Sequence, residues 1–138
     1  MTTSAKPTSA NSAFSPARAG KLIAGGGTLG IALSLVAHFS SSARSVSGPA
    51  GAFVALVFGL IYGVISPGPM GGAALGGALT GAGSAFAGIL VGFLIHDEPW
   101  MMLVAGSLGG AVAGTIGALI GRLIRSWRRA TTDVSLDR

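Results

Sequence analysis

The chain has 138 residues, half of them hydrophobic and only 9% charged, with 24 glycines, no cysteine and a net charge of +5. This composition excludes a disordered chain, which would be less apolar, and six prolines without a Gly-X-Y repeat exclude collagen. The lack of cysteine excludes disulfides, thiolate metal sites and cysteine nucleophiles. We therefore expect an all-α integral membrane protein, a bundle of four transmembrane helices.

The N-terminal part of the sequence combines a polar tail with a first apolar run. Residues 1–18 are rich in Ser, Thr, Ala and Pro, which predicts a disordered cytoplasmic tail; an organellar transit peptide is an alternative because this segment has no acidic residue. The charge-free run 22–43 predicts a transmembrane helix over residues 20–39. The small residues after it resemble a signal-peptide cleavage site, but the long leading segment favours a retained anchor helix.

The middle of the chain has no charge from residue 45 to residue 96. As one helix this run would be about 78 Å long, far more than a bilayer core of about 30 Å requires. The sequence Pro67-Gly68-Pro69 interrupts it, because proline cannot continue a helix. We predict two helices, over 49–66 and 70–95, with Pro49 in the first turn of the former and Ser47 as its cap.

The last apolar run predicts a fourth helix over 98–127, followed by a short cytoplasmic tail at 130–138. Asp97 and Glu98 precede it, and we interpret these carboxylates as a cap that complements the positive end of the helix dipole. The four helices together form a predicted transmembrane domain over residues 19–129.

Basic residues are distributed unevenly along this predicted domain. With four spans both termini lie on one side, which then carries eight of the nine basic residues, while the opposite loops carry only Arg44. The positive-inside rule places both termini in the cytoplasm, and we expect a multi-pass protein of a cell membrane such as the bacterial inner membrane. This placement explains the basic composition better than nucleic-acid binding does, so we expect no nucleic-acid partner.

Small residues recur at four-residue spacing on every predicted helix, a pattern of small-xxx-small or glycine-zipper packing. We predict that the glycine faces pack the third helix against the fourth, and that the bulky side chains opposite them face lipid or a partner. The pattern leaves open whether the packing is within one chain or between chains. The predicted helix-packing residues are Gly26, Gly30, Gly59, Gly63, Gly72, Gly76, Gly88, Gly92, Gly106, Gly110, Gly114, Gly117 and Gly121.

Ionisable residues are missing from the predicted helix interiors, where membrane enzymes and coupled transporters usually need them. We therefore predict no catalytic residue, no cofactor and no metal site. His38 and His96 lie at the outer helix ends and could approach Asp97 and Glu98, so a metal or pH-sensing site there is the weaker alternative. The interior hydroxyls are expected to bond to their own helix backbone or to a neighbour.

The end of the fourth helix carries an arginine cluster flanked by tryptophan. Trp100 and Trp127 lie 27 residues apart, about 40 Å along a helix, which matches the distance between the two headgroup zones. A stop-transfer signal, an anionic-lipid patch and a partner-protein dock are all compatible with the arginines. The predicted lipid-headgroup residues are Arg122, Arg125, Arg129, Trp100 and Trp127.

These observations predict a non-enzymatic, structural or accessory membrane protein. We expect it to pack against itself, as a homo-oligomer, or against a larger membrane complex, with membrane lipids as further partners. The alternative is a small oligomeric channel for passive permeation. A channel requires Thr80 and Ser84 to face a shared axis, whereas a structural protein buries them against glycine.

Overall fold

The computed structural model describes residues 16–67, 69–96 and 99–136. Within them every regular element is a helix. Four helices follow one another in the chain: α1 (Pro16–Phe39), α2 (Ser41–Ile65), α3 (Met70–Leu94) and α4 (Trp100–Leu136). All four are long and apolar enough to cross a membrane, over Pro16–Phe39, Ser47–Ile65, Met70–Leu94 and Trp100–Arg129. This composition and length are compatible with a multi-pass membrane protein.

Two helices extend beyond their predicted bounds. α2 begins at Ser41 rather than at residue 49, so Ser47 and Pro49 lie inside the helix instead of at its start. Pro49 is the ninth residue of the helix, so it removes the backbone hydrogen bond that residue 49 would otherwise donate to the carbonyl of Ser45. α4 continues to Leu136, beyond the predicted end at 127, since a run of arginine does not stop a helix.

Several predictions concern residues outside the described part of the chain. These are the disordered tail as far as residue 15, the Gly68 position of the turn, the capping carboxylates Asp97 and Glu98, and the last two residues of the C-terminal tail. Residues 16–18, predicted as part of the tail, belong to α1.

The bundle is built around α2 and α3. Each of these helices packs against the other three, whereas α1 and α4 lie on opposite sides and make no contact with each other in the described part of the chain. Consecutive helices run in opposite directions, so α1 is parallel to α3 and α2 is parallel to α4. We call the end where α1 begins and α2 ends the arginine end, after Arg18, Arg122 and Arg125, and the opposite end, with His38 and His96, the histidine end.

The interior of the bundle is made of small residues. The fully buried side chains are mostly alanine, and Tyr62 and Thr80 are the largest of them. The large apolar side chains point outward instead: Phe53, Leu108 and Val112 are each more than 60% exposed. Small interiors and bulky exteriors are the arrangement expected for helices surrounded by lipid, where close backbone approach replaces the burial of large apolar groups.

Candidate functional site: the glycine interfaces and the arginine end

The α3–α4 interface brings two glycine rows into backbone contact. A Cβ on Gly81 would lie 2.9 Å from the Cα of Gly114, and a Cβ on Gly110 would lie 2.6 Å from the Cβ of Ala85. Towards the histidine end, a Cβ on Gly106 would overlap the side chain of Ile89. Since real Cβ atoms essentially never approach within 3.0 Å, only glycine allows the two helices to lie this close.

Gly114 lies where three helices meet. Its backbone faces Gly77 and Gly81 on α3, and a Cβ on Gly59 of α2 would lie 2.7 Å from its Cα. Four residues further along, a Cβ on Gly63 would lie 2.8 Å from the Cα of Ala118. α4 therefore inserts its small face between α2 and α3.

Gly117 and Gly121 extend the α2–α4 contact towards the arginine end. A Cβ on Gly117 would lie 2.8 Å from the backbone nitrogen of Leu60, and one on Gly121 would lie 3.0 Å from that of Val64. Both glycines thus face backbone atoms of α2, whose position is fixed by the helix itself. A substitution at either position would have to separate α2 from α4.

The α1–α3 interface uses a different face of α3. A Cβ on Gly30 would lie 3.3 Å from the Cα of Gly88, and one on Gly26 would lie 2.9 Å from the Cβ of Ser84. The hydroxyl of Ser34 donates a hydrogen bond to the carbonyl oxygen of Gly88 at 2.8 Å, which joins the two helices directly.

The middle of the predicted stripe on α3 packs against α2 and α1. Gly76 faces the ring of Tyr62 on α2, while Ser84 and Gly88 face α1. The residues of α3 that contact α4 form the neighbouring row, Gly77 and Gly81, which the sequence reading did not assign to any interface. α3 carries small residues on several faces because it lies between three helices. Gly72 and Gly92, at the two ends of the predicted stripe, are both buried.

The packing loosens towards the histidine end. A Cβ on Gly48, Gly51 or Gly109 would meet nothing within 4 Å, in contrast to the overlaps at Gly114. A cavity of about 490 Å³ lies there, lined by residues of all four helices. The exposed residues of its lining belong to α2 and α4, for example Ala52 and Met102, so the cavity opens between these two helices.

The interior hydroxyls fall into two groups. Thr28, Ser107 and Thr115 each donate to the carbonyl oxygen four residues earlier in their own helix, as predicted. Thr80 and Ser84 are buried, at 0% and 2% exposure, and their hydroxyl oxygens have no hydrogen-bond partner. Both therefore lie inside a single chain, with Ser84 against Gly26.

The arginine end joins α1 and α4 through the last carbonyls of α2. Arg18 donates from Nη1 to the carbonyl oxygen of Ile65 at 3.2 Å, and Arg122 donates to that of Ser66 at 2.8 Å. Arg125 donates to the same Ser66 oxygen. The final carbonyls of a helix have no partner within it, so the three arginines satisfy acceptors that the helix leaves open.

The other predicted headgroup residues lie on the surface. Arg129 is exposed, and Trp127 and Trp100 are 75% and 66% exposed at opposite ends of the apolar part of α4. Arg18 was not predicted as part of this group. Its position four residues before the charge-free run marks it only as one basic residue among several, and nothing in its neighbourhood indicates that it reaches the end of α2.

The histidine end shows no grouping of metal ligands within the described residues. His38 and His96 are both exposed, and the ring of His38 packs edge-on against Phe39 with ring centroids 5.1 Å apart. His96 adopts a left-handed conformation, with φ of 60°, and its N–H bonds to the carbonyl oxygen of Phe93, which closes the end of α3. Asp97 and Glu98, the acidic members of the weaker metal hypothesis, lie outside the described residues.

No protein-family model, curated protein or solved structure matches this chain.

Proposed function

We propose that this chain is an integral membrane protein with a structural role, a non-enzymatic subunit or accessory protein that packs against itself or against a larger membrane complex. The observation that carries the proposal is the division of the bundle into a glycine interior and a bulky apolar exterior. Soluble proteins rarely expose apolar patches larger than a few hundred Å². Here large apolar residues are exposed on every helix, including Leu35, Phe53, Leu79 and Leu108.

The mechanism we propose for the packing is that of a glycine zipper within one chain. It is supported by the backbone approaches at Gly59, Gly77, Gly81 and Gly114, which join three helices. Because lipid tails are as apolar as leucine, close van der Waals contact is the main source of helix association in a bilayer. In this proposal the glycine contacts are all made within one chain, so the exterior of the bundle is available for a partner.

The burial of Thr80 and Ser84 favours this role over an oligomeric channel. A pore between protomers would place these hydroxyls on an outer face of the chain, yet both are buried between helices of one chain. Of the hydroxyls at more open positions, Thr28, Ser107 and Thr115 bond to their own helices, and Ser34 bonds to the carbonyl oxygen of Gly88 on α3. No row of free hydroxyls in the described spans is therefore available to line a pore.

The proposed topology has both termini in the cytoplasm. It is supported by the assembly of Arg18, Arg122 and Arg125 at one end of the bundle, since positive charge is retained on the cytoplasmic side. The exposed Trp100 and Trp127 then lie at opposite interfaces.

The most suitable partner-facing surface is a ridge on α4 formed by Val104, Leu108 and Val112. These residues are spaced by four, so they lie along one face of the helix, and each is between 55% and 63% exposed. The ridge lies opposite the small face that α4 inserts between α2 and α3. A change on the ridge can therefore alter assembly without altering the interior.

Gentle detergent extraction followed by native mass measurement tests the proposal. We expect a defined assembly, of this chain alone or with other subunits, that the double change Leu108→Ala, Val112→Ala weakens while the unfolding of the monomer is unchanged. The control is Leu75→Ala, which removes a similarly exposed side chain from α3. A lone monomer in the extract would contradict the proposal, and a homo-oligomer that makes reconstituted vesicles permeable to solute would instead support the oligomeric passive channel.

A further inference from the structure

The arginine end concentrates positive charge without an acidic partner among the described side chains. Arg122 and Arg125 donate to one oxygen, that of Ser66, and Arg18 donates to the adjacent carbonyl. Backbone carbonyls are neutral acceptors, so they satisfy one donor of each guanidinium and leave its charge uncompensated. The four acidic residues of the sequence are placed after α3 or near the C-terminus: Asp97, Glu98, Asp133 and Asp137.

These guanidiniums retain donors for a further ligand. Arginine has five N–H groups in a planar fork, and each bond to a carbonyl described here starts from a single Nη1. Arg18 is exposed and the other two are half-buried, so all three are accessible. A guanidinium whose orientation is fixed by one hydrogen bond is well suited to bind phosphate, because phosphate accepts two parallel hydrogen bonds from one guanidinium.

We propose that the arginine end is a binding site for the phosphate of an anionic lipid headgroup, held between Arg18 on α1 and the pair Arg122 and Arg125 on α4. The proposal rests on the membrane location and the orientation argued above. A lipid is favoured over a soluble anion because the site lies at the end of the apolar spans, beside the exposed Trp127, and because anionic lipids are concentrated in the cytoplasmic leaflet.

A phosphate at this position would connect two helices that are otherwise separate. α1 and α4 do not contact each other in the described part of the chain, and at this end of the bundle their arginines bond to neighbouring carbonyls at the end of α2. A headgroup that accepts hydrogen bonds from both helices closes this end of the bundle. Binding should therefore stabilise the folded chain as well as compensate its charge.

The test measures thermal unfolding of the full chain in a neutral detergent while a soluble probe is added. The probes are dihexanoyl phosphatidylglycerol, dihexanoyl phosphatidylcholine and sodium phosphate. We expect phosphatidylglycerol to raise the unfolding temperature at concentrations where the other two have little effect. In the double variant Arg18→Gln, Arg122→Gln the half-saturating concentration should rise about 25-fold, or about five-fold for each arginine.

The matched control is Arg128→Gln, which removes one charge from the same end of α4, about 120° around the helix from Arg122, and should leave the half-saturating concentration unchanged. If the glutamine variant does not fold, Arg18→Lys with Arg122→Lys keeps the charge but loses the planar fork, and a smaller rise of the half-saturating concentration is expected. Equal stabilisation by sodium phosphate would overturn the assignment to a lipid. No stabilisation by any probe, or an unchanged response of both double variants, would overturn the site.

Flotation with vesicles of phosphatidylcholine alone separates this inference from the proposed function. A chain that floats with neutral vesicles but shows no preference for phosphatidylglycerol remains a membrane protein without this site. A chain that does not float at all contradicts the membrane role itself.

Discussion

Gly114 provides the sharpest test of how the bundle is held together. In the change Gly114→Ala the new Cβ would lie 2.9 Å from the Cα of Gly81 and 3.0 Å from its nitrogen, and would overlap the carbonyl oxygen of Gly77. These are backbone atoms, so the methyl group can be accommodated only if α4 moves away from α3, which also disturbs its contact with Gly59 on α2. Overpacking of this kind costs about 1–3 kcal/mol, and contact with two helices places Gly114 towards the upper part of that range.

Gly109, five residues earlier on the same helix, is the matched control. A Cβ there meets nothing within 4 Å, so Gly109→Ala should stabilise the chain by about 0.5–1 kcal/mol, the usual gain when alanine replaces glycine in a helix. The two variants should thus differ by about 1.5–4 kcal/mol with opposite signs. The measurement is reversible unfolding of the purified chain in mixed micelles, followed by helix content. The same sign for both variants would refute the close approach of α4 to α2 and α3.

Three further predictions follow from the same structure. Gly110→Leu should reduce the free energy of unfolding more than Leu108→Ala, because the former adds bulk against Ala85 and the latter trims a side chain that is 63% exposed; equal losses in detergent would count against this assignment of faces. Ser84→Ala should be neutral or stabilising by about 1 kcal/mol, since it removes a buried hydroxyl without a partner, and a loss of stability would reveal a hydrogen bond to that hydroxyl. Reporter fusions at both termini should report the cytoplasm and a fusion near residue 42 the outside, and an external C-terminus would exclude four spans.

The helices themselves could be predicted from the sequence because charge and proline are local signals. The charge-free runs and Pro67-Gly68-Pro69 predict four spans, and the structure has four helices in those places. The bounds are less accurate. Proline is most favourable in the first turn of a helix, which predicts a start at Pro49, but α2 begins at Ser41 and continues through this proline.

The partners of the small residues could not be predicted in the same way. Four-residue spacing shows that one face of a helix carries small residues, but it does not show which neighbouring helix packs against that face. α3 has adjacent small rows that start at Gly76 and Gly77, and one faces α2 and α1 while the other faces α4. Which of the two rows packs against α4 depends on the arrangement of all four helices. That arrangement is determined by all the interface residues together.

The grouping of arginines at the arginine end could also not be predicted from the sequence. Arg122 and Arg125 were recognised as a group because they are close in sequence, whereas Arg18 is more than a hundred residues away. Their common position depends on the end of α2, where the acceptors are backbone carbonyls that have no sequence signature. The expectation that Thr80 and Ser84 find hydrogen-bond partners is not met in the structure, where both hydroxyls are buried without one.

The position of α4 between α2 and α3 also determines the order in which the chain can be assembled during synthesis. Under the proposed insertion into a membrane, Gly59 and Gly63 on α2 and Gly77 and Gly81 on α3 still lack the helix that covers them when only the first three helices have entered. The bundle therefore closes only when its last helix has been translated. Until then the nascent chain presents a groove shaped for α4, into which the α4 of a neighbouring copy would fit equally well. We therefore expect exchange of α4 between two nascent chains to be the misassembly that this topology favours.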